Sequence, residues 1–421
     1  MSRIAVVGTG YVGLTTGACF AHLGHDVVCA DIVPEKVDRL SRGEIPIVET
    51  GLENLVADGL RSGRLRFVLG AASAVADAEF VYLCVPTPEG LDGAADLSYL
   101  EAAAAEIRDL LIEGAIVVNK STVPVGSTKV VERVLRRPDV AVVSNPEFLR
   151  EGTAVHDFLH PDRIVVGSDD QSAAIRVASL YLGVPAPLIV TDPATAELIK
   201  YAANAFLATK LSFINAIAAV AEHVGADVAD VVVGIGSDKR IGQEFLKPGP
   251  GWGGSCFPKD TKALVRIAED AGYDFSLLRG VIAVNTEQQE RVVAKIRAAA
   301  GELQGARVAV WGLTFKGRTD DRRDSPSIAV IQRLIEEGAE VVAFDPTVTE
   351  PLPGIGFARD PYGACEGARV LAVLTDWDEF RWLDLAKVAH AMTGSAIVDA
   401  RNLLDRNEVR RLGFDYVGIG R

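Results

Sequence analysis

The stretch Gly249-Pro250-Gly251-Trp252-Gly253-Gly254-Ser255-Cys256-Phe257-Pro258-Lys259-Asp260 holds the residues best suited to covalent chemistry. A thiol attacks as its thiolate, which a nearby cation or the N–H groups of a helix N-terminus favour. Cys256 has Lys259 and Asp260 one helical turn behind it, so both aids are at hand. Four glycines fall within residues 249–254. Such a run brings backbone close to another group, because only Gly lacks a Cβ. A lone cysteine is also often a small buried apolar residue. That second reading suits Cys19, Cys29, Cys84 and Cys365, which sit in or beside apolar runs. The five cysteines show no CxxC or Cys/His spacing, so neither a metal site nor a disulfide framework is expected.

Two further polar residues stand out. Lys200 and Asn204 are four apart in an Ala-rich, mostly apolar stretch and share a helix face. Buried polar groups must be hydrogen-bonded, so the two face a ligand or each other, unless they mark a solvated stripe. At the other end of the chain, Gly8-Thr9-Gly10-Tyr11-Val12-Gly13 fits GxGxxG and follows an apolar run. Asp31 stands 18 residues beyond Gly13, at the end of the next apolar run. Gly8 permits the tight turn, Gly10 a close approach to a pyrophosphate, and Gly13 close helix–strand packing. The helix N-terminus then faces the phosphates. Asp31 would hydrogen-bond both ribose hydroxyls and repel a 2′-phosphate, which favours NAD over NADP. Lys36 could touch the adenosine ribose or simply be a solvated helix residue.

The elements that must position these residues read as α/β. Apolar runs at 4–7, 27–30, 80–85, 116–118 and 141–143 alternate with helical patterns. That predicts a parallel sheet covered on both faces. Asp192-Pro193 is a helix start, and one long helix is predicted from there to about Val224. An exposed apolar stripe on it could form a dimer interface. Residues 239–260 read as irregular, with helices resuming over 262–272 and 281–300. A second α/β unit begins near Gln304, with strands at 308–312 and 340–345 and a helix at 328–337. Its order of strand, helix, strand and acid repeats that of residues 4–31, but Gly312 is the single glycine at its turn. It is expected to bind a different nucleotide, or nothing. The expected architecture is two Rossmann-like domains with parallel sheets, joined by a long central helix and a helical dimerisation region. The boundaries fall at residues 1–191, 192–303 and 304–421.

The chain has 421 residues, 49% apolar and 24% charged, the balance of a soluble globular protein. Its formal net charge of −14 weighs against nucleic acid, which needs clustered Lys and Arg. Met1-Ser2-Arg3 leads directly into an apolar strand, so no signal peptide is expected. No stretch of roughly 18 apolar residues is expected to span a membrane. Scattered reduced thiols fit a cytoplasmic location.

Taken in order, the motifs resemble those of the UDP-glucose/GDP-mannose dehydrogenase family over nearly the full length. They are GTGYVGL at the start, CVPTP at 84–88, STVPVG at 121–126 and NPEFLREGTAV at 145–155. ELIKYAANAFLATK at 197–210, GPGWGGSCFPKD at 249–260 and GLTFKGRTDDRRDSPS at 312–327 follow. The Ser-Cys-Phe-Pro-Lys-Asp run is similar to the UDP-glucose branch. The resemblance implies an NAD-dependent, four-electron oxidation of C6 of UDP-glucose to UDP-glucuronate through a thiohemiacetal and a thioester on Cys256. Cys256 would be the nucleophile. Lys200, Asn204 and Asp260 would surround the reacting centre and its water, with Lys200 and Asn204 stabilising oxyanions at C6. Glu147 would be acid or base in the thioester stage, and Thr122 would position water and cofactor. Gly8, Gly10, Tyr11, Val12, Gly13, Asp31, Lys36, Thr87, Thr122, Glu151, Lys259 and Arg323 would contact NAD. Glu147, Phe148, Leu149, Arg150, Glu151, Lys200, Asn204, Arg240, Phe245, Leu246, Lys247, Gly249, Gly253, Lys316 and Arg401 would contact the sugar nucleotide. Arg240 can come from the neighbouring subunit in the family, which implies a homodimer. A two-electron hydroxyacid dehydrogenase would share the N-terminal unit and a Lys/Asn helix, but would need neither Cys256 nor a second Rossmann-like domain.

Overall fold

A computed structural model describes residues 1–90, 93–348, 350 and 352–421. The chain divides into two compact units, residues 1–203 with 262–272 and residues 204–261 with 273–421.

The first unit is built on eight strands, β1 (Arg3–Val7), β2 (Asp26–Asp31), β3 (Leu65–Leu69), β4 (Phe80–Leu83), β5 (Ile116–Asn119), β6 (Ala141–Ser144), β7 (Ile164–Gly167) and β8 (Leu188–Thr191). Their order is β3-β2-β1-β4-β5-β6-β7-β8. All neighbours are parallel except β6 and β7. The reversal of strand order falls beside β1, so β1 and β4 frame the crevice where a parallel sheet binds its ligand. Strands β1, β4 and β5 are apolar at nearly every position because helices cover both faces. The two faces carry separate cores, one around Phe20 and Tyr82, the other around Leu83 and Leu100.

The second unit holds six strands, β9 (Arg307–Trp311), β10 (Glu340–Phe344), β11 (Gly356–Phe357), β12 (Val370–Val373), β13 (Ala396–Asp399) and β14 (Asp415–Val417). They form an all-parallel sheet in the order β11-β10-β9-β12-β13-β14. The architecture repeats that of the first unit around β9. Asp345 follows β10 as Asp31 closes β2. It accepts from the Leu313 and Thr314 N–H groups at 2.7 and 3.2 Å, much as Asp31 accepts from the Thr9 N–H at 3.0 Å. The Trp377 indole and Thr347 hold Asp345 as well, which leaves it 2% exposed. Its oxygens serve the protein.

One helix, Pro193–Val224, runs on from β8 as expected. Asp192 caps it, accepting from the Thr195 N–H at 2.9 Å. In length and composition it could cross a membrane, with a mean hydropathy of 1.4 over 18 residues. The sequence predicts no such stretch, because Lys200, Asn204, Lys210 and Asn215 punctuate the alanines. Lys200, Asn204 and Asn215 are buried and hydrogen-bonded within the fold. Glu197 accepts from the Gly126 N–H at 2.6 Å and from the Thr128 N–H and Oγ1 at 2.9 and 2.7 Å. It thereby caps the helix Ser127–Leu135, which has no side-chain cap of its own. Ser212 and Asn215 bond groups of the second unit.

Removing the Glu197 carboxylate strands two backbone donors and a buried hydroxyl. Glu197→Ala is expected to lower stability by about 2–4 kcal/mol in urea melts with little change in m-value. A loss below about 0.5 kcal/mol would show that solvent replaces the cap.

Candidate active site

The glycine turn of the first unit has the shape a dinucleotide needs. A Cβ on Gly13 would lie 1.9 Å from the Gly8 carbonyl oxygen, so only glycine lets this helix pack on the turn. A Cβ on Gly10 would meet nothing within 4 Å, so that backbone faces open space. The helix Tyr11–His22 starts there without a side-chain cap, and its N-terminal N–H groups suit a pyrophosphate. These residues fit NAD.

Asp31 sits at the crevice with its carboxylate taken by the Thr9 N–H and hydroxyl, the Val33 N–H and Lys36. Burial alone would raise its pKa, but the Thr9 and Lys36 hydrogen bonds and the Lys36 charge bring it down to about 2. Lys36 is therefore neither free in solvent nor independent of Asp31, lying 2.9 Å from it. Tyr11 donates to Glu49, and the Gly152 N–H donates to both, at 2.6 Å to Tyr11 and 2.7 Å to Glu49. Glu49 had no signal in the sequence, yet it ties the glycine turn to the loop that carries Glu147 and Glu151. Thr87 Oγ1 donates to the Thr122 carbonyl at 2.8 Å, so two expected cofactor residues hold each other.

Glu147 and Lys200 form a buried ion pair of 2.9 Å, each side chain 4% exposed. The Leu149 N–H donates to the other Glu147 oxygen at 2.6 Å. Burial opposes the Glu147 charge, but Lys200, the Leu149 N–H and Lys120 outweigh it and hold the pKa below the usual range. The Phe148 ring has the Arg163 guanidinium 3.6 Å from its centroid and the Lys200 ammonium at 5.4 Å. Arg150 pairs with Asp157 at 2.6 Å.

In the second unit Asn204 donates to Asp260 Oδ2 at 2.6 Å, and Lys259 donates to Oδ1 at 2.6 Å. Asp260 is 1% exposed. Lys200 and Asn204, one turn apart on one helix, thus each hold a carboxylate.

The cysteine loop corrects the sequence reading in one respect. Residues 257–260 are not irregular: the helix Phe257–Asp270 begins at Phe257. The Asp260 N–H donates to the Cys256 carbonyl at 2.9 Å, which makes Cys256 the N-terminal flanking residue. Pro258 concealed this, although a proline in the first turn loses no hydrogen bond. The close approach expected of the glycines is to protein at Gly249 and Gly253. A Cβ on Gly253 would lie 2.0 Å from the Asp324 carbonyl oxygen, and one on Gly249 would lie 3.3 Å from the Arg401 guanidinium. Buried amides fasten the loop. Asn215 accepts from the Gly249 N–H at 2.9 Å, and Gln288 donates to the Gly249 carbonyl at 2.8 Å. Asn285 brackets Trp252 through its N–H and carbonyl at 2.8 and 3.0 Å. Asn215, 11 residues beyond Asn204, shares its side of the helix, a periodicity visible in the sequence.

Cys256 is partly exposed, while the other four cysteines are buried. Burial pushes the Cys19, Cys84 and Cys365 thiols up to about 12, and Cys29 higher still. Ser255 Oγ lies 3.6 Å from the Cys256 sulfur.

Among the remaining candidates, Lys247 pairs with Asp376 at 2.9 Å. Arg401 donates to the Leu374 and Phe315 carbonyls at 2.8 and 2.6 Å. Burial opposes the Asp376 charge, and Arg401 and Lys247 reverse it, holding the carboxyl well below its usual range. Leu246 is buried, and Phe245 adopts a left-handed φ of 61°. Lys316 stands 5.4 Å from the Phe315 ring. Arg240 and Arg323 extend into solvent, paired with Asp238 and Asp321.

Residues 2–184 match the NAD binding domain of the UDP-glucose/GDP-mannose dehydrogenase family, 194–287 its central domain and 309–406 its UDP binding domain. The chain belongs to that family. It is an NAD-dependent oxidoreductase with two Rossmann-like sheets. It is 49% identical to a UDP-glucose 6-dehydrogenase of Rhizobium meliloti (strain 1021), covering 100% of this chain and 99% of that one. It is 45% identical to UDP-glucose 6-dehydrogenase TuaD of Bacillus subtilis, over 100% and 94% of the two chains. Among solved structures it superposes on a UDP-glucose dehydrogenase of Pyrobaculum islandicum with a TM-score of 0.92, at 38% identity, covering 100% and 98%. A UDP-D-ManNAc dehydrogenase of Pyrococcus horikoshii matches with a TM-score of 0.89 at 29% identity, covering 100% and 99%.

Asp31 gives a pH-dependent prediction. Its folded pKa of about 2 lies below the ordinary 3.8, so its stabilisation is complete above that value and is lost as pH falls towards about 2. Asp31→Asn should cost the unliganded enzyme about 1 kcal/mol near neutrality, after allowing for solvent screening, and the difference in Tm should narrow in acid. A gap independent of pH would contradict this origin. Separately, Asp31→Ala should weaken NAD binding and relax discrimination against NADP; an unchanged preference would remove Asp31 from the ribose.

Proposed function

We propose that the chain oxidises the C6 alcohol of UDP-glucose to the carboxylate of UDP-glucuronate in two oxidations, holding the intermediate on Cys256. The observation that carries this reading is the setting of Cys256: the one partly exposed thiol of five, at a helix N-terminus. The full-length likeness to UDP-glucose 6-dehydrogenases supports the substrate. Residues 1–191 serve as the NAD domain, 192–303 as the central helical domain with the cysteine, and 304–421 as the UDP-sugar domain.

NAD, bound at the glycine turn with Asp31, supplies the two-electron acceptor for each oxidation. Thr122 and Asp260 hold the water through which the alcohol proton leaves. Lys200 and Asn204 donate to the C6 oxygen, stabilising negative charge as it develops there. The Cys256 thiolate adds to the C6 aldehyde, and the oxygen takes a proton, giving a thiohemiacetal that cannot escape. The second oxidation leaves a thioester and releases a proton. Water attacks the thioester carbon, Glu147 takes the water proton, and the C–S bond breaks to return the thiolate. Splitting one hard step into two easier ones is the gain from covalent capture. Glu147 suits the last step because Lys200 keeps it ionised. Lys247, Lys316 and Arg401 supply cations for the diphosphate, and residues 245–251 line the sugar nucleotide with Phe148, Leu149, Arg150 and Glu151. Lys259 and Arg323 reach NAD.

Phe206, Phe213, Val220 and Val224 lie along one side of the long helix, each at least 51% exposed. That stripe supports a homodimer through this helix, with Arg240 reaching the neighbouring site. A cytoplasmic location fits five free thiols.

Complete turnover should yield two NADH for each UDP-glucuronate, and one NADH per substrate would contradict the scheme. Cys256→Ala should lose acid formation by about 10⁴-fold or more while NAD affinity is kept. Four-electron turnover by that variant would refute covalent capture.

A further inference from the structure

Lys120, directly after β5, is a buried ammonium that the scheme above does not use. It is 4% exposed. Its Nζ donates to Asn145 Oδ1 at 3.2 Å and to Tyr181 Oη at 3.3 Å. The rings of Tyr181 and Phe158 lie 5.8 and 6.0 Å away. All of these partners are neutral. Taking an ammonium out of water without a bonded carboxylate is costly, so a charge here calls for a use.

The use lies two residues from its partner. Asn145 is fixed on four sides: its N–H donates to the Asn119 carbonyl at 2.9 Å and its Nδ2 to the Val165 carbonyl at 2.7 Å, while its Oδ1 accepts from Lys120 and from Tyr181 Oη, the latter at 2.6 Å. Glu147 follows after Pro146. Among the described residues, Lys200 on the long helix bonds Glu147, and Lys120 after β5, Arg163 before β7 and Cys84 after β4 interact with it electrostatically. Burial keeps the Cys84 thiol neutral, with its pKa raised to about 12. Lys200 must also serve the C6 oxygen during the reaction, and any share of its charge drawn to the substrate is lost to Glu147. Lys120 cannot be drawn away in the same manner, because Asn145 and Tyr181 hold it.

We propose that Lys120 is a positioning residue for thioester hydrolysis: its fixed, buried charge keeps Glu147 ionised while Lys200 attends to the substrate, and its bond to Asn145 sets where Glu147 stands. This rests on the reading of Glu147 as the base of that step. The sign follows from charge. Without Lys120, Glu147 binds its proton at higher pH, so the acidic limb of kcat moves up.

The test is kcat against pH, at saturating NAD and UDP-glucose, for Lys120→Met, Lys120→Gln, Lys120→Arg and Glu147→Gln. The two neutral variants remove a buried charge without stranding another, and Gln keeps a donor for Asn145, so at least one should fold. Both should shift the acidic limb up by about one pH unit, with kcat recovering towards wild type at alkaline pH. Lys120→Arg should restore the wild-type limb, and KM for NAD should stay within about twofold throughout. A neutral variant whose kcat falls by one factor at every pH, or whose limb does not move, overturns the inference. If Glu147→Gln loses turnover while the Lys120 limb stays put, only this inference fails. If Glu147→Gln keeps both turnover and limb, the assignment of Glu147 as base fails with it.

Discussion

Charge taken out of water has to be matched, and the Lys200–Glu147 pair is where this enzyme meets that constraint. Both side chains are almost wholly buried, and breaking such a pair would leave an uncompensated charge costing about 3–5 kcal/mol. Neither residue is therefore free to drift. Lys200 is held at one place on the long helix and Glu147 at one place beyond β6. The same helix carries Asn204 one turn on, fixed by Asp260. Two donors, each aimed by a carboxylate, are thus set at helical spacing before any substrate arrives. Donors fixed in advance need no reorganisation as charge develops, and that is the property the proposed scheme asks of Lys200 and Asn204 at C6.

The cysteine loop applies the same logic to backbone. Its glycines spend their freedom on packing against Asp324 and near Arg401, and buried amides from Asn215, Asn285 and Gln288 tie it down. The outcome is a rigid lead-in that delivers Cys256 to the start of a helix. The loop is rich in glycine yet has the fastening of an ordered element. The other cysteines are the internal comparison: burial leaves them protonated and inert, while Cys256 alone is partly exposed.

Much of this was legible in the sequence because it is local. The GxGxxG turn, Asp31, the long helix and the strands β1, β4, β5, β9 and β10 each carry their signal within a few residues. Short or half-exposed strands were harder. β3 includes Arg66 and β11 has only two residues, so neither forms a continuous apolar run. The start of the cysteine helix was hidden by Pro258. Pairings were hardest of all. Glu147 and Lys200 are 53 residues apart, and Glu49 and Gly152 are 103 apart, so nothing local announces either contact. The sequence marked Lys200 and Asn204 as needing partners, and the fold supplied Glu147 and Asp260.

The proposed chemistry turns on a covalent bond between C6 and Cys256 that Glu147 is needed to break. Intact-mass and peptide-mapping mass spectrometry of Glu147→Gln, quenched after mixing with NAD and UDP-glucose, tests it directly. A stable adduct of the oxidised sugar nucleotide is expected on the peptide containing Cys256, absent from a Cys256→Ala background. Unmodified Cys256 alongside released UDP-glucuronate, or an adduct on another residue, would contradict it.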